Sequence, residues 1–191
     1  INFEELPDSF VLKCTHDSGS IAICKSKATF DYKSAKKILE KGLKHNPFWA
    51  AREWPYKNVK PRIIAEKYLE TSDGCLKDYK FFCFNGKPEI MYISDDKAEI
   101  PATDFFDMDY IPLPIKMRDN NSTVLPEKPL CSEKMKELAS RLSKGHKHIR
   151  VDFYNWEGRV YVGELTFFHL GGFGPITPNE WNERLGDMIS I

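Results

Sequence analysis

Residues 149–168 read IRVDFYNWEGRVYVGELTFF, two runs of alternating apolar and polar residues that are separated by a Glu-Gly pair. Such alternation is typical of β-strands, whose successive side chains point to opposite faces of a sheet. Arg150 and Asp152 therefore share one face of the first strand. A connecting loop of three or five residues could place Asp152 directly opposite Glu164 on the second strand.

Two carboxylates directly opposed across an antiparallel pair repel each other and destabilise a sheet. A divalent cation would remove that conflict, since Mg²⁺ is held in proteins by one or two carboxylates together with substrate phosphates. A solvated strand face, on which each carboxylate pairs with a neighbouring Arg or Lys, explains the same pattern. Asp152 and Glu164 are therefore candidate metal ligands, and both explanations remain open at this point.

A second hairpin is predicted near the start of the chain, where residues 10–27 read FVLKCTHDSGSIAICKSK. Its loop, residues 15–20, is longer than the two to five residues of an ordinary hairpin. Backbone N–H groups in such a loop can form an anion-binding nest, Gly19 allows close approach, and Lys13 adds a positive charge. A flexible surface hairpin with solvated lysines is the alternative. Together with a carboxylate pair suited to Mg²⁺, the loop describes both halves of a nucleotide-triphosphate site.

The remaining segments alternate hairpins with amphipathic helices, which predicts an α+β fold with antiparallel sheets. Helices are expected to begin near Asp31, Ser132 and Pro178, and Asn85-Gly86 predicts a type I′ hairpin turn. Residues 62–69 resemble a buried strand, whereas residues 95–130, rich in Asp and Pro, predict little regular structure.

Composition narrows the possible partners of the chain. The 191 residues carry 28 basic and 28 acidic side chains, so no net charge favours nucleic acid or an anionic membrane. The apolar runs are far shorter than the ~20 residues needed to span a bilayer. Five cysteines without CxxC spacing predict buried thiols in a reducing compartment, which favours a cytoplasmic location. The first residue is Ile, and we expect the chain to begin inside a longer protein.

Four blocks of the sequence resemble one known family: LPDSFVLKCTHDSGS, AREWPYKNVKPRIIAEKYLE, DYKFFCFNG and RVDFY…VGELTFF. They are similar to the TupA-like group of the ATP-grasp superfamily, which is linked to bacterial capsular and teichuronopeptide polysaccharide synthesis. The resemblance implies an ATP-grasp fold of two small lobes with a nucleotide cleft between them. Residues 1–68 would form the subdomain with the phosphate loop, and residues 69–191 the subdomain with the Mg²⁺-binding hairpin. The superfamily's usual preceding N-terminal lobe is not evident, because residues 1–9 are too few to supply it.

The resemblance also implies roles for individual residues. The implied contacts to the nucleotide phosphates are Lys13, Asp17, Ser18, Gly19 and Ser20. The implied contacts to the adenine are Glu66, Lys67, Tyr68 and Leu69, and the implied contact to the ribose is Asp78. The implied Mg²⁺ ligands are Asp152, Glu164 and Thr166, the last standing where the superfamily commonly has Asn. The implied catalytic groups are Arg150, Lys80 and the backbone N–H groups of Gly171 and Gly172, which would bind the substrate carboxylate or its oxyanion.

The function implied by the resemblance is ATP- and Mg²⁺-dependent ligation of a carboxylate to an amine through an acyl phosphate. The expected partners are ATP, a uronic-acid-type carboxylate and an amino acid or amine, on a glycan or glycan precursor. Oligomeric state is not indicated.

Two further functions are open. Direct phosphorylation of a sugar would need a nearby carboxylate such as Asp104, Asp107 or Asp109. A non-catalytic nucleotide- or glycan-binding module of a glycosyltransferase complex could use aromatic residues that otherwise serve the core: Trp49, Trp54 and Tyr56.

Histidines add two smaller possibilities. His146 and His148 could bind a metal as a pair, although no third His or Cys follows at a supporting spacing. His169, beside the Gly-rich turn, is better placed to contact a substrate.

Overall fold

A computed structural model describes residues 1–17, 19–71, 76–95 and 101–189, which form two compact units, residues 1–69 and 70–191. The main strands and helices follow in this order along the chain: β1 (Phe10–Cys14), β2 (Ile21–Cys24), α1 (Tyr32–Leu43), α2 (Phe48–Ala51), β3 (Ile63–Lys67), β4 (Asp78–Phe84), β5 (Lys87–Asp95), β6 (Ala102–Asp107), β7 (Pro112–Leu113), α3 (Ser132–Ser143), β8 (His148–Trp156), β9 (Arg159–Thr166) and α4 (Asn179–Asp187). The expected α+β class with antiparallel sheets is confirmed.

The first unit contains a three-stranded antiparallel sheet in the order β2-β1-β3, with α1 packed on one face. The Asp31 side chain caps α1 by accepting a hydrogen bond from the Ser34 N–H at 3.0 Å. Ala35 and Leu39 follow on one face of the helix and pack against Leu12 of the sheet. Helical spacing of apolar residues therefore produces the core of this unit.

The strand expected over residues 62–69 is shorter and more exposed than predicted. β3 runs over Ile63–Lys67, and after Ile63 its residues are exposed. Its pairing with β1 places it at one edge of this sheet, and its second half, Glu66 and Lys67, is charged. The apolar start of the segment therefore did not indicate burial along its whole length.

The loop between β1 and β2 packs against the end of α1. His16 in this loop is fully buried, and its Nε2 lies 3.0 Å from the Gly42 carbonyl and 2.8 Å from the His45 carbonyl. Both partners are acceptors, so Nε2 carries the proton and donates. A Cβ at Gly42 would lie 2.6 Å from the Ser20 Cβ and 2.9 Å from an Asp17 carboxylate oxygen. Only glycine at this position lets the loop lie so close to the helix.

The second unit is built on a six-stranded antiparallel sheet in the order β7-β6-β5-β4-β8-β9. One face is covered by α3, whose Met135 and Ala139 pack against Phe81, Val151 and Phe153. The hairpin turn predicted at Asn85-Gly86 is present, with positive φ at both residues.

The opposite face of this sheet is divided between two environments. Toward one end, Trp181 and Leu185 of α4 pack against apolar residues that include Phe84, Ile90 and Phe105. The rest of the face carries the charged side chains of β4, β8 and β9. The sheet therefore presents a charged cluster beside an apolar core.

Residues 95–130 hold more regular structure than expected, because β6 and β7 extend the sheet. Phe105 and Phe106 of β6 are both buried, one in each core of the unit. Asp104 is buried as well and accepts hydrogen bonds from the Ser122 N–H at 2.9 Å and the Ser122 hydroxyl at 2.6 Å. Asp residues in this segment suggested a loop, but Asp104 lies in a strand and accepts hydrogen bonds that hold the neighbouring segment in place.

The cysteines and the apolar segments can be compared with the expectations drawn from composition. Cys14, Cys24 and Cys83 are buried free thiols as predicted, and burial raises the pKa of Cys83 to about 12. Cys131 is half-buried and free, and Cys75 lies outside the described residues. Among the helices that the structure describes, none combines the length and apolarity required to cross a membrane.

Replacing Gly42 with Ala tests the packing of the loop on α1. Alanine is normally favoured over glycine in a helix by about 1 kcal/mol, but here its Cβ would displace the loop. We expect Gly42→Ala to lower the free energy of unfolding by about 1–3 kcal/mol, measured by urea denaturation. Gly186 is the matched control, since it is also the penultimate residue of its helix and its Cβ would meet nothing within 4 Å. Equal stabilisation by Gly42→Ala and Gly186→Ala would contradict the close packing.

Candidate active site

The pairing of Asp152 with Glu164 across β8 and β9 is confirmed, but by a different route from the one expected. The connection is a two-residue turn rather than a loop of three or five residues, with Glu157 at φ 51° and Gly158 at φ 75°. This turn alone would place Asp152 opposite Gly163. A β-bulge at Gly163 shifts the register by one residue and brings Glu164 opposite Asp152.

The bulge depends on the absence of a side chain at Gly163. A Cβ there would lie 2.7 Å from Cε2 of Tyr154, well inside contact distance. An isolated glycine within a strand pattern is a recognised signal for a bulge or a close approach. The sequence therefore carried the information that was missing from the expected register.

A cluster of charged side chains lies on this face of the sheet, with Asp152 at its centre and only 1% exposed. Arg150 donates to both carboxylate oxygens of Asp152, from Nε to Oδ1 and from Nη2 to Oδ2, each at 2.7 Å. Lys80, directly across the strand pair on β4, places its Nζ 3.0 Å from Asp152 Oδ2 and 2.9 Å from Asp78 Oδ2. Glu164 completes the cluster, 3.5 Å from Arg150 Nη2.

Burial and mutual attraction oppose each other in this cluster. Burial raises the pKa of Asp78, and the positive charge of Lys80 offsets this only in part. For Arg150, burial is the largest effect and lowers the pKa, but the hydrogen bonds and charge of Asp152, together with Tyr92 and Glu164, outweigh it and the pKa is raised. The guanidinium is therefore a fixed positive charge, held by a bidentate bond to a buried carboxylate.

The residues expected to bind Mg²⁺ supply the right type of donor, since Asp152 and Glu164 are opposed carboxylates and Thr166 adds a hydroxyl. Thr166 donates to Glu164 Oε1 at 2.8 Å. Both oxygens of Asp152, however, are bound by Arg150 and Lys80. Over the described ranges, no group of three or more His, Cys, Asp or Glu side chains is arranged to hold a metal. A cation at Asp152 would therefore have to share its oxygens with Arg150 and Lys80 or displace one of them.

The residues expected at the nucleotide phosphates lie at one end of the three-stranded sheet. Lys13 forms an ion pair with Glu66 of β3, and the Ser20 hydroxyl donates to Asp17. Gly19 has φ 105° and open space at its Cβ position, so its backbone is accessible. Ser18, assigned to the same role, lies outside the described residues.

The segment expected at the adenine follows β3 directly. Glu66 and Lys67 are the last two residues of the strand, and Glu66 forms the ion pair with Lys13. Tyr68 and Leu69 are half-buried, and the Tyr68 ring lies 6.0 Å from the Lys25 Nζ. The four residues are therefore contiguous with the strand that carries the ion pair.

The Gly-rich turn differs from the expected substrate-binding turn. Its backbone is left-handed at three successive residues, Leu170 (φ 49°), Gly171 (φ 65°) and Gly172 (φ 79°). The Gly171 N–H donates to the Phe168 carbonyl at 3.1 Å, so this group is already engaged within the turn. Gly172 lines a cavity of about 460 Å³ in the second unit.

This cavity was not anticipated from the sequence, because its walls come from distant segments. It adjoins the charged cluster through His169, a lining residue whose Nδ1 lies 2.5 Å from Arg150 Nη1. Its other lining residues are Phe82, Phe84, Met117, His148, Phe167, Phe168, Gly172, Gly174, Ile176, Asn182, Leu185, Gly186 and Ile189.

The proposed metal pair of His146 and His148 is not supported. His148 Nδ1 lies 3.2 Å from the Cys83 carbonyl, and its ring packs 4.6 Å from that of Phe84. The His146 ring instead packs edge-on against Phe167. Each histidine thus serves aromatic packing, and no cluster of metal ligands includes them within the described residues.

Replacing Gly163 with Ala tests whether the bulge sets the register of the cluster. The new Cβ would collide with the Tyr154 ring, so we expect the free energy of unfolding to fall by about 1–3 kcal/mol. The double variant Gly163→Ala/Tyr154→Ala should lose less than the sum of the two single variants, because the clash is absent. Strict additivity in urea denaturation would show that Tyr154 does not constrain this position.

Comparisons with known proteins bear on the family and the fold of this chain. The sequence model of the TupA-like ATPgrasp family matches residues 1–190. A comparison with curated proteins gives no match. Among solved structures, a D-alanine–D-alanine ligase from Bacillus anthracis matches with a TM-score of 0.56 at 19% identity, over 99% of this chain and 56% of that chain.

A second structure of the Bacillus anthracis ligase, complexed with ATP, gives a TM-score of 0.52 at 19% identity, over 99% of this chain and 54% of that chain. The chain thus spans about half the length of these ligase structures, and the likeness at this identity concerns the fold. The family match covers nearly every residue, including both hairpins described above. The chain belongs to the TupA-like ATP-grasp family.

Proposed function

We propose that the chain binds ATP and contributes to an ATP-dependent ligase that joins a carboxylate to an amine. The observation that carries this proposal is the match to the TupA-like ATPgrasp family across residues 1–190. The charged cluster of the second unit supports it, because Arg150 provides a buried and Lys80 a half-buried positive charge, and Asp152 and Glu164 provide paired carboxylates. These are the groups that transfer of a phosphoryl group requires.

The proposed reaction has two steps that together form an amide. A substrate carboxylate oxygen attacks the γ-phosphorus of ATP, the bond to the β-phosphate oxygen breaks, and ADP leaves. The amine nitrogen then attacks the acyl carbon, the C–O bond to phosphate breaks, and the amine proton passes to solvent. Arg150 would stabilise negative charge on the transferred group. Mg²⁺ bound to Asp152, Glu164 and Thr166 would offset the charge of the phosphates.

The first unit would supply the remaining nucleotide contacts. We assign Lys13 and the loop of Asp17, Ser18, Gly19 and Ser20 to phosphates. Glu66, Lys67, Tyr68 and Leu69 would contact the adenine, and Asp78 of the second unit the ribose. The Lys13–Glu66 ion pair must loosen when Lys13 meets a phosphate, since one ammonium cannot remain fully paired with both.

A role in cell-surface polysaccharide synthesis rests on the resemblance to the family and on the exposed aromatic residues. Trp49 and Trp54 are 67% and 62% exposed. Neither is packed in a core, which was the alternative explanation for these aromatic residues. Cations lie over both rings, with Arg52 5.4 Å from the Trp49 centroid and Lys57 4.2 Å from the Trp54 centroid. Exposed aromatic faces beside cations fit an acidic glycan, either as a substrate or as the ligand of a non-catalytic module.

Sugar phosphorylation receives less support. Asp104 and Asp107 both accept hydrogen bonds from loop backbone amides: Asp104 from Ser122, and Asp107 from Asp109 and Ile111. A carboxylate held in this way stabilises its loop and is poorly placed to accept a proton from a sugar hydroxyl.

Calorimetric titration of a non-hydrolysable ATP analogue, with and without Mg²⁺, tests the nucleotide site. We expect Mg²⁺-dependent binding by the wild type. Lys13→Ala and Asp152→Asn should each weaken it by about tenfold or more, because each removes one charged contact. Lys36→Ala is the control, since Lys36 is an exposed helix residue paired with Glu40 and lies outside the proposed site. Wild-type affinity in both site variants would contradict the assignment.

Product analysis separates ligation from the other functions. With ATP, Mg²⁺ and a carboxylate substrate, hydroxylamine in place of the amine should trap the acyl phosphate as a hydroxamate, with release of ADP and phosphate. A kinase would leave the phosphate on the acceptor, and a binding module would produce no ADP. Arg150→Lys should reduce the hydroxamate yield strongly, because a lysine cannot reproduce the bidentate bond to Asp152.

A further inference from the structure

The cavity of the second unit lies next to the charged cluster, and one residue belongs to both. His169 lines the cavity and is bound to Arg150 through Nδ1 at 2.5 Å. Arg150 is in turn bound to Asp152. A molecule in the cavity therefore has one end beside the groups proposed for phosphoryl transfer.

The cavity walls are mostly apolar and aromatic. Phe82 and Phe84 rise from β4, and Phe167 and Phe168 stand at the rim, 39% and 43% exposed. The polar lining side chains are two histidines and Asn182. A sugar placed here would leave several hydroxyl groups without hydrogen-bond partners, which costs about 1–3 kcal/mol for each. A volume of about 460 Å³ suits a small molecule whose body is apolar.

His169 sets the chemistry of the polar end. Arg150 can only donate, so Nδ1 of His169 accepts, and the ring proton of the neutral imidazole lies on Nε2. This Nε2 is buried and has no hydrogen-bond partner among the described residues. Burial and the neighbouring Arg150 charge lower the pKa of His169 to about 3, with further effects from Asp152, His148 and Lys80, so the ring stays neutral near pH 7. Its Nε2–H can therefore donate to a ligand oxygen that displaces the side chains covering it, but the atom cannot accept from an amine.

We propose that this cavity binds the carboxylate substrate, that the substrate is an acid with an apolar body, and that the Nε2–H of His169 donates to its carboxylate. The role of the ligand as a substrate rests on the proposed ligase function. The apolar acid takes the place of the uronic acid implied by the family resemblance. The amine, which His169 cannot satisfy, binds elsewhere.

Binding is tested on the whole 191-residue chain labelled with ¹³C at the methionine methyl groups. Octanoate should shift the Met117 resonance saturably, since Met117 lines the cavity. The Met135 resonance is the internal control, because Met135 lies on α3 and is buried against the other face of the sheet. D-glucuronate and octylamine should each bind at least about tenfold more weakly than octanoate. The hydroxyl groups of glucuronate would lose hydrogen-bond partners against the apolar walls, and octylamine has no oxygen to accept from the Nε2–H of His169.

Two substitutions test the assignment of groups. His169→Phe keeps an aromatic ring but removes the donor, so it should weaken the binding of octanoate by about tenfold. His169→Gln can still accept from Arg150 and donate to the ligand, so it should retain most of the affinity. Gly186→Leu should abolish binding by filling the cavity, while Gly186→Ala should bind nearly as well as the wild type, because a Cβ at Gly186 meets nothing within 4 Å.

Some results would overturn the inference. These are the absence of a saturable octanoate shift, equal affinity for glucuronate or octylamine, or unchanged affinity in both His169→Phe and Gly186→Leu. Hydroxamate formed from glucuronate but not from octanoate would overturn it while leaving the ligase function intact. Failure of the ligase function appears separately, as no binding of the ATP analogue, and the octanoate titration needs no nucleotide.

Discussion

The bidentate bond between Arg150 and Asp152 is the interaction on which the second unit's site depends. A carboxylate that is 1% exposed would be strongly destabilised without a partner, and Arg150 satisfies both of its oxygens. The same guanidinium binds His169 and approaches Glu164, so one side chain connects β8, β9 and the Gly-rich turn. The cluster is thus held by internal hydrogen bonds, and its charges are already in place.

Close backbone approach determines the geometry around that bond. The two-residue turn between β8 and β9 fits the twist of the strands, but by itself it would put Asp152 opposite a glycine. The bulge at Gly163 corrects the register, and the Tyr154 ring leaves no room for a side chain there. In the first unit, Gly42 has a comparable role, since it lets the loop that contains His16 lie against α1. Both positions require glycine because there is no room for a side chain, not because the backbone has a positive φ.

The division of one sheet face between charge and apolar packing has a functional consequence. Charged residues of β4, β8 and β9 lie beside a cavity whose walls are aromatic. An apolar environment strengthens electrostatic interactions at its border because it excludes water. A substrate with an apolar body and a charged end would match both environments, and His169 lies where they meet.

The sequence by itself determined the antiparallel α+β fold, the first hairpin, the Asp31-capped helix and the face shared by Arg150 and Asp152, because each depends on local periodicity or on a short turn or cap motif. Gly163 also carried a readable signal for the bulge. Tertiary structure alone decided the ion pairing of Lys80 with Asp152, the burial of His16, the donor-only state of His169 and the cavity. Each of these joins residues far apart in the chain, and nothing in their local pattern indicates which strands become neighbours. The sequence also did not indicate that Trp49 and Trp54 are exposed, because the local pattern around an aromatic residue does not distinguish a core position from a surface position.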